Sequence, residues 1–204
     1  GGMNRRQAGE DFYFLHKVFP LENFSEITST KVIPSPRLSD RVPFGTGADI
    51  TKQMINESEA YLSYNPKSFY NLKVFFDLIP HLYSGKEQSI LLEKLPDSVI
   101  TFLKQEHFEK KLTELREHTA SQKAFVKRFY KWFDGFKLLK YIHFARDQFH
   151  PQVKLSEAVH DLLNKMEIQS STLDEKKLLL KLRKIELEKS YAIGHKNKQE
   201  KHPP

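Results

Sequence analysis

The chain has 204 residues, with 33 basic and 26 acidic side chains, a net charge of +7, and 39 % apolar residues. That length suits one large domain or a small domain with an extension, and the 16 phenylalanines allow a core despite the low apolar fraction. The absence of cysteine excludes disulfides, thiol catalysis and thiolate metal sites, and no apolar run approaches the roughly 18–20 residues of a spanning helix.

In chain order, Asp11 to Phe19 is predicted to form a short helix ended by Pro20, with Glu10 and Asp11 at its positive end. The β-branched stretch ITSTKVIP from Ile27 reads as a strand. PSPRLSDRVPFGTG, from Pro34 to Gly47, holds three prolines and two glycines and must be loop. Five of the eight glycines and four of the ten prolines precede residue 50, which puts the compositional boundary near residue 48.

Beyond it the pattern is helical. The expected helices are DITKQMINESEAYLSY, then Pro66 to Gly85 with proline at the start and glycine past the end, then DSVITFLKQEHFEKKLTELREH. A single long helix is expected from Ser121 to about Phe149, with Phe125, Phe129, Trp132, Phe133, Phe136, Leu139 and His143 on one face. Two more are expected near Ser156–Met166 and Thr172–Ser190, before a polar tail. The fold class is therefore mainly α, with a short α/β N-terminal remnant ahead of a helical C-terminal region. The expected organisation is residues 1–48, a helical region at 49–190 and a disordered tail at 191–204.

Three features could carry chemistry. Glu10 and Asp11 follow Gly9, whose freedom suits a tight loop, and one carboxylate could act as a base while the other binds a hydroxyl or caps backbone N–H groups. Residue types alone favour an ordinary acidic helix start. Arg37 and Arg41, in a stiffened loop, could grip a phosphate or carboxylate, although Gly45-Thr46-Gly47 lacks the lysine of a phosphate-binding loop. Between residues 121 and 146, seven basic side chains meet one acid, and an amphipathic basic helix can lie on an anionic membrane or nucleic acid. Core packing with solvated charges explains the same pattern. The nine histidines include no i, i+4 pair and support no metal site, and His143 reads as a hydrogen-bonded core histidine.

GGMNRRQAGEDFYFLHKV resembles the acceptor-side segment of family 2 type glycosyltransferases with a GT-A fold, and TSTKVIPSPRLSDRVPFGTGADI and RFYKWFDGFKLLKYIHFAR are similar to segments of bacterial members. The resemblance is best over residues 1–50 and extends to about residue 150. It implies that Asp11 is the general base of an inverting transferase, that Glu10 orients the acceptor, and that Gly1 and Gly2 lie near the donor diphosphate and acceptor. Arg37 and Arg41 join these as substrate-binding candidates. The family also needs an N-terminal nucleotide-sugar-binding half and an Asp-x-Asp motif for a divalent cation, and no Asp-x-Asp occurs here. The expectation is thus a truncated C-terminal part that takes no cofactor by itself, its cation and nucleotide-sugar coming only with the missing half, and that transfers nothing alone. Its partner would be a sugar acceptor and its location cytoplasmic. The competing reading is a helical interaction protein, peripheral to an anionic membrane through Lys127, Arg128 and Lys131, with nucleic acid the less favoured partner. An independent small enzyme built on Glu10 and Asp11 ranks last.

Overall fold

A glycine in the left-handed conformation and a proline at a first helical turn set the starts of the two elements that matter most. The computed structural model describes residues 9–21, 61–85, 88–169 and 174–199, with isolated positions at 25, 27, 30, 32 and 33. The chain divides into two compact units: Gly1–Ala60 with Thr172–Pro204, and Tyr61–Ser171. Helix dominates the described residues, and the one sheet among them is a two-stranded pair, so the chain is mainly α with a small strand element.

In the first unit, α1 (Glu10–Val18) follows Gly9, whose φ of 74° is left-handed, and passes into a 3-10 turn at Phe19–Leu21. Only glycine takes that φ without a steric cost. Glu10 and Asp11 occupy the first turn and His16 and Lys17 the last, both favourable to the helix dipole. No residue of α1 is buried; Phe12, Leu15 and Phe19 are 39 %, 42 % and 51 % exposed. The last helix of this unit runs Glu175–Gln199, with Asp174 accepting from the Lys177 amide at 3.0 Å.

The second unit begins with β1 (Leu62–Ser63), where the sequence pattern had suggested the end of a helix. Its partner is β2 (Val153–Lys154), antiparallel, with Leu62 opposite Lys154 and Ser63 opposite Val153. A two-residue strand carries too little alternation to be read from a sequence. Helix α2 (Pro66–Leu78) has Pro66 in its first turn and Asn65 as its cap, accepting from the Lys67 amide at 3.0 Å. A 3-10 segment, Ile79–Ser84, continues it to Gly85 at φ 71°, so the expected start and stop are both in place. The Arg116 guanidinium donates to the Leu82 carbonyl near that end, at 2.7 Å from Nε.

After α3 (Gln88–Glu93), the predicted helix from Asp97 is in fact two: α4 (Asp97–Gln105) and α5 (Phe108–Glu117). The break is His107, in left-handed backbone at φ 50°. A continuous helix would place Phe102 and Phe108 about 120° apart, at 3.6 residues per turn, whereas both are buried in the same core. The expected single helix from Ser121 to Phe149 is likewise two, α6 (Gln122–Trp132) and α7 (Gly135–Gln148). Ser121 caps the first through the Ala124 amide at 3.2 Å, and Asp134 caps the second through the Lys137 amide at 3.0 Å. The aromatic face therefore ends at Phe133. Beyond the break the buried positions are Tyr141, Ile142 and Ala145, while Phe136 and Leu139 stay exposed. Helix α8 (Leu155–Lys165) follows β2 directly.

The core is largely aromatic. Phe75, fully buried on α2, meets Phe108, Phe129 and Phe133 edge-on at centroid distances of 5.4, 5.6 and 5.7 Å. Burying each such side chain contributes about 1.5–3 kcal/mol, and edge-on pairs add about 0.5–1.5 kcal/mol. Three helices, α2, α5 and α6, are thereby fastened through one residue.

Candidate functional site

Two neighbouring carboxylates on a helix project about 100° apart, so Glu10 and Asp11 cannot do the same job. Asp11 is exposed and its Oδ1 accepts from the Phe12 amide at 2.7 Å, while Glu10 is partly buried. The Tyr13 amide donates to the Gly9 carbonyl at 3.1 Å, so the glycine is tied to the helix it starts. Asp11 is thus exposed, with one carboxylate oxygen engaged by the backbone. Gly1, Gly2, Arg37, Arg41 and the whole loop 34–47 lie outside the described residues; of the stretch from Ile27 expected as a strand, only Ile27, Thr30, Val32 and Ile33 are described, and none of these four is in a strand.

The cations expected on the outer faces of one helix are divided between α6 and α7. Lys127, Arg128 and Lys131 are exposed on α6, and Arg128 also donates to the His118 carbonyl at 3.3 Å. Past the break, Lys137 and Lys140 both donate to Glu106, and Arg146 pairs with Asp147 at 2.6 Å. His143 is partly buried, with Nε2 2.9 Å from the Tyr64 hydroxyl and its ring stacked on that phenol at 5.9 Å. It is a hydrogen-bonded structural histidine.

Three arrangements escaped the sequence pattern. Asn71, Ser98, Tyr141 and His150 form a chain of hydrogen bonds drawn from α2, α4, α7 and the segment after α7. Burial pushes the Tyr141 phenol up, against a lowering hydrogen bond with Ser98. Tyr70 donates to Asp161, joining α2 to α8; burial first, then that bond and the aspartate charge, push its phenol up to about 12. Lastly, a cleft of about 730 Å³ opens among α3, α4 and α5 over Leu92, Leu95, Ile100, Leu103 and Phe108. Lys104, His107 and Lys110 rim it beside Glu93 and Glu109, so charge alone selects no ligand. The first two join residues far apart in sequence, and the cleft depends on the left-handed break at His107, so no local spacing announces them.

No protein-family model matches the chain, and neither the curated proteins nor the solved structures contain a significant match. Among the described residues, no helix is long and apolar enough to cross a membrane.

Proposed function

We propose that this chain supplies the acceptor side of a sugar-transfer site and works with a nucleotide-sugar-binding half. The observation that carries the reading is the left-handed Gly9 placed directly before Glu10 and Asp11 on the first turn of an exposed helix. In this reading Asp11 takes the proton from the acceptor hydroxyl as that oxygen attacks the anomeric carbon. The bond from that carbon to the diphosphate breaks, the diphosphate leaves with its electron pair, and the configuration inverts. Glu10 accepts a hydrogen bond that orients the acceptor. Because Glu10 and Asp11 diverge, they do not converge on one ion, and a cation on the donor diphosphate falls to residues of the donor-binding half. The cytoplasm is the matching location.

The test is transfer by a protein in which this chain is joined to its donor-binding half. Asp11→Asn should lower kcat by about 10²–10⁴-fold, the usual worth of a positioned base, and Glu10→Gln should act mainly on the KM for acceptor. The chain alone should neither hydrolyse nor transfer a donor sugar. Full activity in Asp11→Asn, or transfer by the chain alone, sinks the reading.

A second reading, docking on an anionic membrane through Lys127, Arg128 and Lys131, draws on the exposure of those three side chains, Lys127 and Lys131 opposite the buried Phe125 and Phe129 and Arg128 on the flank. Sedimentation with phosphatidylserine vesicles at low salt tests it. Retention lost on changing all three to alanine supports it, and no retention excludes it.

A further inference from the structure

The chain between α7 and α8 crosses back over the start of α2 and is held there at three points. Asn65 Nδ2 donates to the Pro151 carbonyl at 3.4 Å. The β1–β2 pair is extended by the Leu155 amide, which donates to the Tyr61 carbonyl at 2.7 Å. Third, Asn71 Nδ2 lies 3.0 Å from His150 Nε2 and also donates to Ser98 Oγ at 3.0 Å. Ser98 Oγ is in turn 3.0 Å from the Tyr141 hydroxyl, and both of those residues are buried.

Hydrogen-bond chemistry fixes the direction of this chain. An amide nitrogen donates and does not accept, and both of its hydrogens are used, one on Ser98 and one on His150. Nε2 of His150 must therefore be the acceptor, which puts the ring hydrogen on Nδ1 and leaves the imidazole neutral. The charged group acting on the ring is Lys67 of α2; α4 presents Ser98, and α7 presents the Tyr141 phenol through Ser98. Burial pushes the His150 ring down, Lys67 pushes it further, and a backbone hydrogen bond with Phe149 pulls the other way.

We propose that His150 is an acid-released latch: a proton on Nε2 sets donor against donor at Asn71, and the segment 149–154 lets go of α2. The competing response is a half-turn of the Asn71 amide, with its oxygen accepting from both neighbours and Ser98 receiving from Tyr141. That response would keep a cation partly buried beside Lys67, so release is the lower path. Opening the segment frees the two-residue ladder and loosens the attachment of α8, a local opening rather than global unfolding.

Hydrogen exchange at the Leu155 amide reads the latch. Between about pH 7 and pH 5, the range in which histidine switches charge, its protection factor should fall about tenfold or more in the wild type. His150→Gln offers an oxygen to Asn71 but cannot charge, and should hold its protection over the same range. Lys67→Gln, which leaves the latch in place, should move the loss to higher pH because an opposing charge is gone. An equal loss in His150→Gln, an unmoved midpoint in Lys67→Gln, or constant protection in the wild type each overturns the proposal.

Discussion

Lys137 of α7 donates to Glu106 at the end of α4, and both side chains are shielded, at 18 % and 11 % exposed. The same ammonium sits 4.8 Å from the centroid of the Trp132 ring, and Lys140 adds a second bond to Glu106 at 2.5 Å. One carboxylate thus holds the start of α7 against the core after the break at Asp134.

Burial acts to raise the Glu106 carboxyl, but the bonds and charges of Lys137 and Lys140 outweigh it and hold the group below its usual range. A depressed carboxylate stabilises the fold above its unfolded value, near about 4.3, and loses that contribution as pH falls through the lower folded value. Glu106→Gln should therefore cost on the order of 1–2 kcal/mol at neutral pH. Urea titrations of both proteins should show that gap closing toward about pH 3, below the unfolded carboxylate value; a gap independent of pH contradicts the assignment.

Asp134→Ala removes the cap of α7 and should cost about 1 kcal/mol, as should Ser121→Ala at the start of α6. Two separate helices predict that these costs add in the double variant, measured by chemical denaturation. A single helix through residues 121–149 would make Asp134→Ala neutral or stabilising.

Phe75→Ala should cost about 3–5 kcal/mol, since it opens a cavity where Phe108, Phe129 and Phe133 converge. Thermal unfolding of the helical unit should move down accordingly. A cost below about 1 kcal/mol would mean that the aromatic cluster collapses around the gap, against the usual partial relaxation of cores.

Asp11→Asn should leave stability within about 0.5 kcal/mol, because the side chain is exposed and asparagine can also accept from the Phe12 amide. Unchanged unfolding beside a lost sugar transfer would separate chemistry from folding. A large fall in stability would make Asp11 a structural cap instead.

Legibility followed the range of the interactions. Pro66, Gly85 and the acids opening α1 could be read because their causes are local: a fixed φ, a left-handed stop and a helix dipole. The breaks at His107 and Asp134 were hidden by apolar periodicity that runs through them. Asp134-Gly135 did carry a signal, a capping side chain three residues before Lys137, which the aromatic stripe outweighed. His107 carried little, since histidine takes left-handed backbone more often than most residues but still rarely, and its conformation serves the burial of Phe108. At the candidate site, Gly9 and the carboxylate pair were visible as residues, and their separate exposures were not. The four-residue chain from Asn71 to Tyr141 needed three helices to meet.

The small ladder also decides how the helical unit meets mechanical load. Leu62 and Lys154 face each other at the end where β1 begins and β2 leaves, so both strands depart in one direction. Tension along the backbone would pull α8 from its Tyr70–Asp161 bond and then part the strands pair by pair, as a zip opens. The aromatic centre would stay unstrained until that clasp had gone, so the unit yields to force from its margin inward.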